Sequence, residues 1–191
     1  YIPIFKNAIK THTNSARDSI LNYMLNTGDT NFIKGKQIFI QGSPILKSKN
    51  DIKIGRLSGI VAHHVPFYLR SSRMPSWEVN CIEDWGEKVS AIVNQTVDQN
   101  MTLISGIPPW VQMYFEKIIE KSGKKVGDVF KNFSLFIYGG VSFKPYVKIF
   151  DELIGRKINS IEVYPASEGF FAFQDQIEVD SMLLVLNNDI Y

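Results

Sequence analysis

Short apolar runs alternate along this chain with stretches whose apolar residues recur at helical spacing. The runs lie at residues 37–41, 101–105, 134–138 and 160–164. Each is short and rich in β-branched and aromatic residues, so each predicts a strand. Strands of this kind that are joined by helices are typical of a parallel sheet covered on both faces. The sequence therefore predicts an α/β fold, with a mostly parallel sheet flanked by helices.

Helix boundaries are indicated by caps and helix-breaking residues. Ser15 is a suitable N-cap for a first helix that Gly28 would end. The apolar face of that helix would carry Ile20, Leu21, Met24 and Leu25. Further helices are predicted over residues 82–99, from Pro109 to about Gly123, and over residues 143–153 before Gly155, whereas residues 47–53 are predicted to be a loop.

The composition is that of an ordinary globular chain, with 45% apolar and 21% charged residues among 191. This length is close to that of one domain, so we expect a single α/β domain over residues 1–191 without an internal boundary. The formal net charge is only +2 and the basic residues are scattered. Nucleic acid is therefore not an expected partner.

Signals for membranes and for secretion are missing from the sequence pattern. No apolar run approaches the roughly 20 residues of a membrane span, and residues 1–4 lack a basic-then-apolar signal. The sequence has one cysteine, Cys81, which excludes an internal disulfide and a zinc site built on two thiolates. We therefore expect a cytoplasmic location and no membrane partner, with Cys81 as a packing residue.

Two segments that could carry chemistry follow the last two predicted strands. Residues 139–142 read Gly-Gly-Val-Ser, and residues 164–169 read Tyr-Pro-Ala-Ser-Glu-Gly. Ligands of open parallel sheets bind at the carboxyl ends of the strands, where these segments would meet. The Ser167 hydroxyl is able to donate to a phosphate, and the Glu168 carboxylate is able to hold Mg²⁺ against it. Plain turns are the alternative interpretation of both segments.

Together, the two segments resemble consecutive core motifs of the adenylate-forming superfamily of acyl-CoA synthetases, peptide-synthetase adenylation domains and luciferases. Residues 105–110, Ser-Gly-Ile-Pro-Pro-Trp, and residues 167–172, Ser-Glu-Gly-Phe-Phe-Ala, are most similar to one branch of it. That branch is the bacterial part of the auxin-responsive-promoter (Gretchen Hagen) family of acyl-acid amido synthetases. Residues 1–4, Tyr-Ile-Pro-Ile, likewise resemble the segment that follows that family's phosphate loop.

The resemblance implies an ATP-dependent ligase that activates a carboxylic acid as an acyl-adenylate and transfers the acyl group to an amine, giving an amide and AMP. It implies ATP and Mg²⁺ as cofactors, and a small carboxylic acid and an amine or amino acid as partners. Carried over by residue, it implies Tyr164 on adenine, Ser167 on the α-phosphate and Glu168 on Mg²⁺. Ser167 and Glu168 are then the catalytic pair, and the remaining nucleotide-binding residues are Gly139, Gly140, Val141, Pro165 and Ala166.

Other elements of that family are not found in the sequence. No Ser/Thr/Gly-rich phosphate loop precedes Tyr1, and no Tyr-x-x-Gly-Asp element, whose acid grips the ribose, occurs before Tyr191. The C-terminal cap domain is missing as well. We therefore expect a fragment of the large N-terminal domain of a longer enzyme, inactive or nearly so by itself, because positioning a triphosphate requires the other parts.

The sequence is also compatible with two other functions. One is an acyl-CoA ligase of the phenylacetate type, and the other is a non-catalytic nucleotide-binding α/β module. Arg70 and Arg73 either line an acyl pocket, where a guanidinium could hold a carboxylate, or are solvated. His63 and His64 are adjacent, and because adjacent side chains seldom point at one ion, metal binding is not the favoured interpretation.

Overall fold

The computed structural model describes residues 2–177 and 179–186. Its strands are β1 (Lys36–Ile40), β2 (Lys47–Lys49), β3 (Ile52–Ile54), β4 (Arg73–Met74), β5 (Met101–Gly106), β6 (Leu135–Tyr138), β7 (Asn159–Ala166), β8 (Gly169–Phe173) and β9 (Leu183–Leu184). Its α-helices are α1 (Lys6–Thr27), α2 (Leu57–Ala62), α3 (Trp77–Asn80), α4 (Trp85–Thr96), α5 (Pro108–Ser122), α6 (Val126–Val129) and α7 (Val147–Ile154). Short 3₁₀ turns span Asn31–Lys34 and Phe67–Ser72.

Seven of these strands form one sheet in the order β4-β1-β5-β6-β7-β8-β9. The strands from β4 to β7 are parallel, whereas β8 and β9 are antiparallel to their neighbours. The strands β2 and β3 form a separate hairpin. The fold is therefore α/β with a mostly parallel sheet, as the sequence predicts.

Helices cover both faces of this sheet. Along β6, Phe136 and Tyr138 belong to one buried apolar cluster, whereas Leu135 and Ile137 belong to the other. Alternate residues of a strand point to opposite faces, so the two clusters lie on opposite sides of the sheet. The first cluster includes side chains of α4, α5 and α7, and the second includes Tyr23 of α1.

Local signals fix the boundaries of three helices, of which α5 lies closest to its prediction. The helix α5 begins at Pro108, whose restricted φ suits the first turn, and ends at Gly123 with φ +67°. The helix α4 is shorter than predicted, because the Asp84 side chain accepts the backbone N–H of Glu87 and caps it there. The helix α7 likewise begins only after Pro145, since a residue before proline is disfavoured in helical conformation.

The prediction for the first helix was wrong at its start and for half of its apolar face, since only Ile20 and Met24 pack against the second apolar cluster as predicted. The helix α1 begins at Lys6, so Ser15 lies in its middle rather than at its cap. Leu21 and Leu25 are 45% and 85% exposed. The buried residues are instead His12, Ser15, Ser19 and Tyr23. Small serines allow close packing on β7 and β8, which α1 contacts, and Tyr23 donates its hydroxyl to Asp29 at 2.8 Å.

Residues 47–53 are not the predicted loop, because β2 and β3 pair there as a hairpin. Asn50 and Asp51 connect the two strands with φ of 50° and 61°. Two consecutive residues with positive φ suit a tight hairpin turn, and Asn and Asp tolerate that conformation well. Within the two ranges that the structure describes, no helix is long and apolar enough to cross a membrane.

Candidate functional site

The two motifs singled out in the sequence follow neighbouring parallel strands and lie side by side. The last residue pair between β6 and β7 joins Tyr138 to Glu162. Gly139 therefore leaves β6 next to Val163, while β7 continues to Ala166. The structure brings the glycine pair against the start of residues 164–169, at the carboxyl edge of the sheet.

Both glycines are required by the backbone at this edge. A Cβ on Gly139 would collide with the carbonyl oxygen of Val163, and Gly140 has φ +84°, which favours glycine. A Cβ on Gly140 would stand 3.7 Å from Cγ1 of Ile107, in the segment after β5. The glycine pair thus lets three strand ends approach one another, and the fold alone is sufficient reason for both residues.

Ser167 and Glu168 form the two-residue turn of a β-hairpin. The strand predicted over residues 160–164 is longer in the structure, because β7 runs on to Ala166, which pairs with Gly169 of β8. The antiparallel β8 extends the pairing because Phe170 and Phe173 are buried on the sheet. Both turn side chains are exposed, and within residues 2–177 and 179–186 neither has a hydrogen-bond or ion-pair partner. Their polar atoms are free to meet a ligand.

Tyr164 presents an aromatic surface just before this turn. Its side chain is 54% exposed, and its ring packs on Phe171 with centroids 5.3 Å apart and a tilt of 37°. A ring that is supported on one side and exposed on the other is able to stack on a planar base. Of the other predicted pocket residues, Pro165 and Val141 are exposed and Ala166 is half-buried.

A cleft of about 510 Å³ adjoins the glycine segment on the α7 side of the sheet. Its polar lining includes Tyr138 and Glu162, which form a register pair, and Ser142, which follows the glycine segment. At its mouth, Lys144 forms an ion pair with Asp180 at 2.7 Å. The cleft is large enough for a small organic molecule.

Charges in this cleft are arranged around Glu162. Burial raises the pKa of the Glu162 carboxyl above its ordinary value, and the nearby Asp180 carboxylate raises it further, whereas the Tyr138 hydroxyl acts in the opposite direction. Burial also raises the pKa of the Tyr138 phenol. The Asp180 carboxylate raises the pKa of Lys144 by accepting its hydrogen bond. Glu162 is thus a partly buried carboxyl that lies beside both a phenol and a second carboxylate.

Sequence reasoning missed this cleft, although one signal for it was present. Glu162 is a charged residue that lies between the apolar residues Ile161 and Val163 within a predicted strand. A carboxylate in such a position is rare unless it has a local role. Lys144 and Asp180 carry no comparable signal, since only the tertiary fold brings them together across 36 residues.

The chemistry of the turn fits a magnesium ion that arrives with a nucleotide. Among the described residues, no group of three or more His, Cys, Asp or Glu side chains is arranged to hold a metal by itself. Mg²⁺ in nucleotide sites needs only one or two carboxylates, because phosphate oxygens and waters complete the octahedron. The exposed Glu168 carboxylate could supply one ligand of this kind, with the Ser167 hydroxyl beside it.

The remaining candidates lie elsewhere. His63 contacts the carbonyl oxygen of Pro44 at 3.0 Å and packs edge-on against Trp77, with ring centroids 4.9 Å apart. Arg73 begins β4, which is four strands away from β7, and it pairs with Gln37 near the amino end of β1. The structure therefore does not bring Arg73 to the predicted nucleotide edge.

Arg70 and His64 are exposed. Arg70 donates to the carbonyl oxygen of Val65 at 3.4 Å, within its own loop. Cys81 is half-buried at the end of α3, where its backbone N–H donates to the carbonyl of Trp77 at 3.0 Å. None of these contacts indicates a ligand.

Comparison with known proteins adds no family to this geometry. Neither a scan against protein-family models nor a search of curated proteins finds a match to the chain.

Proposed function

We propose that the carboxyl edge of β6 and β7 is the nucleotide site of an ATP-dependent ligase, which activates a carboxylic acid as an acyl-adenylate and transfers the acyl group to an amine or amino acid. The observation that carries this proposal is the juxtaposition of two motifs that resemble adenylate-forming enzymes. The glycine segment approaches β7 at Val163, next to the exposed Tyr164 and the turn formed by Ser167 and Glu168. In this proposal the chain is part of an adenylate-forming large domain and acts in the cytoplasm.

Each residue has a role that follows from its chemistry. The exposed ring of Tyr164 would stack on adenine, with Phe171 supporting it from behind. The Ser167 hydroxyl would donate to a non-bridging α-phosphate oxygen. Glu168 would hold Mg²⁺, which supplies positive charge where negative charge accumulates as the acid attacks the α-phosphate.

The proposal is tested by measuring the exchange of pyrophosphate into ATP. The assay uses the full-length protein and a panel of carboxylic acids. We expect exchange with at least one acid, and a loss of two or more orders of magnitude in Glu168→Gln, because the amide no longer holds the metal as a charged ligand. Glu152→Gln is the matched control, since Glu152 is an exposed carboxylate on α7 that makes no described hydrogen bond or ion pair. Exchange in Glu168→Gln equal to that of the control would contradict the proposal.

The identity of the acyl acceptor distinguishes the proposed amide synthesis from the alternative functions. An amide product formed from an amino acid supports the proposal, whereas a thioester formed from coenzyme A would identify an acyl-CoA ligase of the phenylacetate type. Binding of ATP without exchange for any acid would instead favour a nucleotide-binding module without turnover.

A further inference from the structure

A second cavity opens at the amino edge of the sheet, opposite the candidate nucleotide site. Its volume is about 390 Å³. It lies where β5 and β6 begin, between the 3₁₀ turn Asn31–Lys34 and the segment that joins α6 to β6. Thr102 forms part of its wall, and its hydroxyl is already committed to the carbonyl oxygen of Phe32 at 2.6 Å.

The charge of this cavity is not balanced. Lys34, Lys131 and Arg156 line it, and no carboxylate from the described part of the chain does so. None of the three forms an ion pair with a described acidic residue. Three positive charges around one concave surface attract an anion, and most strongly one with several oxygens.

Arg156 is fixed in place by the backbone rather than by an acid. Its Nη2 donates to the carbonyl oxygens of Phe133 at 2.7 Å, Lys131 at 3.1 Å and Phe130 at 3.3 Å. These bonds hold the segment before β6 in one conformation, and they place the positive guanidinium next to it. The cation is therefore preorganised, which lowers the entropy cost of binding an anion there.

Uncommitted hydrogen-bond donors complete the cavity. Asn132 donates from Nδ2 to Oδ1 of Asn100 at 2.9 Å, and Lys34 donates from Nζ to Oδ1 of Asn31 at 3.0 Å. An ammonium has three N–H bonds, so Lys34 keeps further donors. The Oγ of Ser134 lies buried in the cavity lining without a hydrogen-bond partner. Because that oxygen is inaccessible to solvent, it does not face an anion in the cavity, and the lysine and arginine side chains carry the inference.

We propose that this cavity binds a small oxyanion of the phosphate class. Lys34, Lys131 and Arg156 supply the charge, and the remaining N–H bonds of the Lys34 ammonium are available as donors. The inference rests on the cavity alone and does not depend on the proposed ligase activity, because the two sites lie at opposite edges of the sheet.

Isothermal titration calorimetry of the protein with inorganic phosphate, at constant ionic strength set by chloride, tests this proposal. We expect saturable binding that weakens about tenfold in K34Q/K131Q, since two charges that face the anion are removed. K49Q/K53Q is the matched control, because Lys49 and Lys53 are equally exposed but lie on the β2–β3 hairpin.

Three results would overturn the proposal. The first is phosphate heat that is no larger than that of chloride. The second is an equal loss of affinity in K34Q/K131Q and in K49Q/K53Q, which would mean nonspecific attraction by surface charge. The third is a loss of affinity in S167A with none in K34Q/K131Q, which would mean that phosphate binds at the carboxyl edge instead.

Discussion

Two regions of the molecule differ in the exposure of their side chains. Those of the core beneath α5 and α7 are buried, whereas those at the carboxyl edge of β6 and β7 are exposed. Beneath the helices, Phe115, Phe136 and Phe150 are almost fully buried, and the ring of Phe150 packs against those of the other two. At the edge, Tyr164 and Glu168 are exposed. The first region lowers the free energy of the folded state, whereas the second keeps polar atoms free for a ligand. Substitutions should therefore separate stability from ligand binding.

The largest effect is expected for Phe115→Ala in the packed region. Phe115 is fully buried, and its ring lies 5.2 Å from that of Phe150 and 6.0 Å from that of Phe133. Removing the ring leaves a cavity, so the free energy of unfolding should fall by about 3–5 kcal/mol in urea denaturation. Phe67→Ala is the control, because Phe67 is 81% exposed and should change it by about 0.5 kcal/mol at most. Equal losses in both variants would contradict the assignment of this core.

An intermediate effect is expected at the boundary of the two regions, where the glycines lie. Gly139→Ala should reduce the free energy of unfolding by about 2 kcal/mol, because its methyl group meets the backbone of Val163 and β6 and β7 must separate. Gly140→Ala should cost only about 1 kcal/mol, since the methyl group has room and only the positive φ is unfavourable. Chemical denaturation measures both losses. A larger loss in Gly140→Ala than in Gly139→Ala would show that the close approach of Gly139 to Val163 does not limit the residue at position 139.

The smallest effect on stability is expected for Glu162→Gln, and it depends on pH. Below pH 4.5 the Glu162 carboxyl is protonated in the folded and unfolded protein alike. As the pH rises through its raised folded pKa, the unfolded state loses the proton first, so this group destabilises the fold above that range. A glutamine side chain at this position does not titrate, so Glu162→Gln should raise Tm by about 1–2 °C at pH 7.5.

At pH 4 the same substitution should leave Tm unchanged. Glu152→Gln, on the exposed side of α7, is the control and should show no difference at either pH. A stabilisation by Glu162→Gln that is equal at pH 4 and pH 7.5 would mean that the carboxyl does not titrate with a raised pKa.

What the sequence could predict depends on whether a feature is local. The apolar strands β5 and β6 and the limits of α5 follow from hydrophobic runs, Pro108 and Gly123, so they could be placed from the sequence. The buried face of α1 could not, because the burial of His12 comes from its contact with Phe170, which is 158 positions away. Tertiary packing overrides local hydrophobicity at such positions.

The same distinction between local features and tertiary packing applies to the candidate site. The neighbouring positions of the glycine segment and residues 164–169 follow from the order of strands in a parallel sheet, and the structure brings them together. A turn at Ser167 and Glu168 was only the alternative interpretation, and the pairing of β8 with β7 was not predicted, because it depends on the burial of Phe170 and Phe173 on the sheet. The basic cavity around Ser134 was missed as well, since its lining comes from four separate segments of the chain.

The assignment of the nucleotide site is tested most directly by measuring the binding of ATP to the full-length protein with and without Mg²⁺. The variants to compare are Glu168→Gln and Glu152→Gln. We predict that Glu168→Gln weakens binding at least tenfold in the presence of Mg²⁺ and has little effect with EDTA, while Glu152→Gln binds like the unaltered protein. Unfolding of both variants should be unchanged within about 0.5 kcal/mol, since both side chains are exposed. Equal affinity of the two variants for Mg²⁺-ATP would contradict the assignment of the carboxyl edge as the nucleotide site.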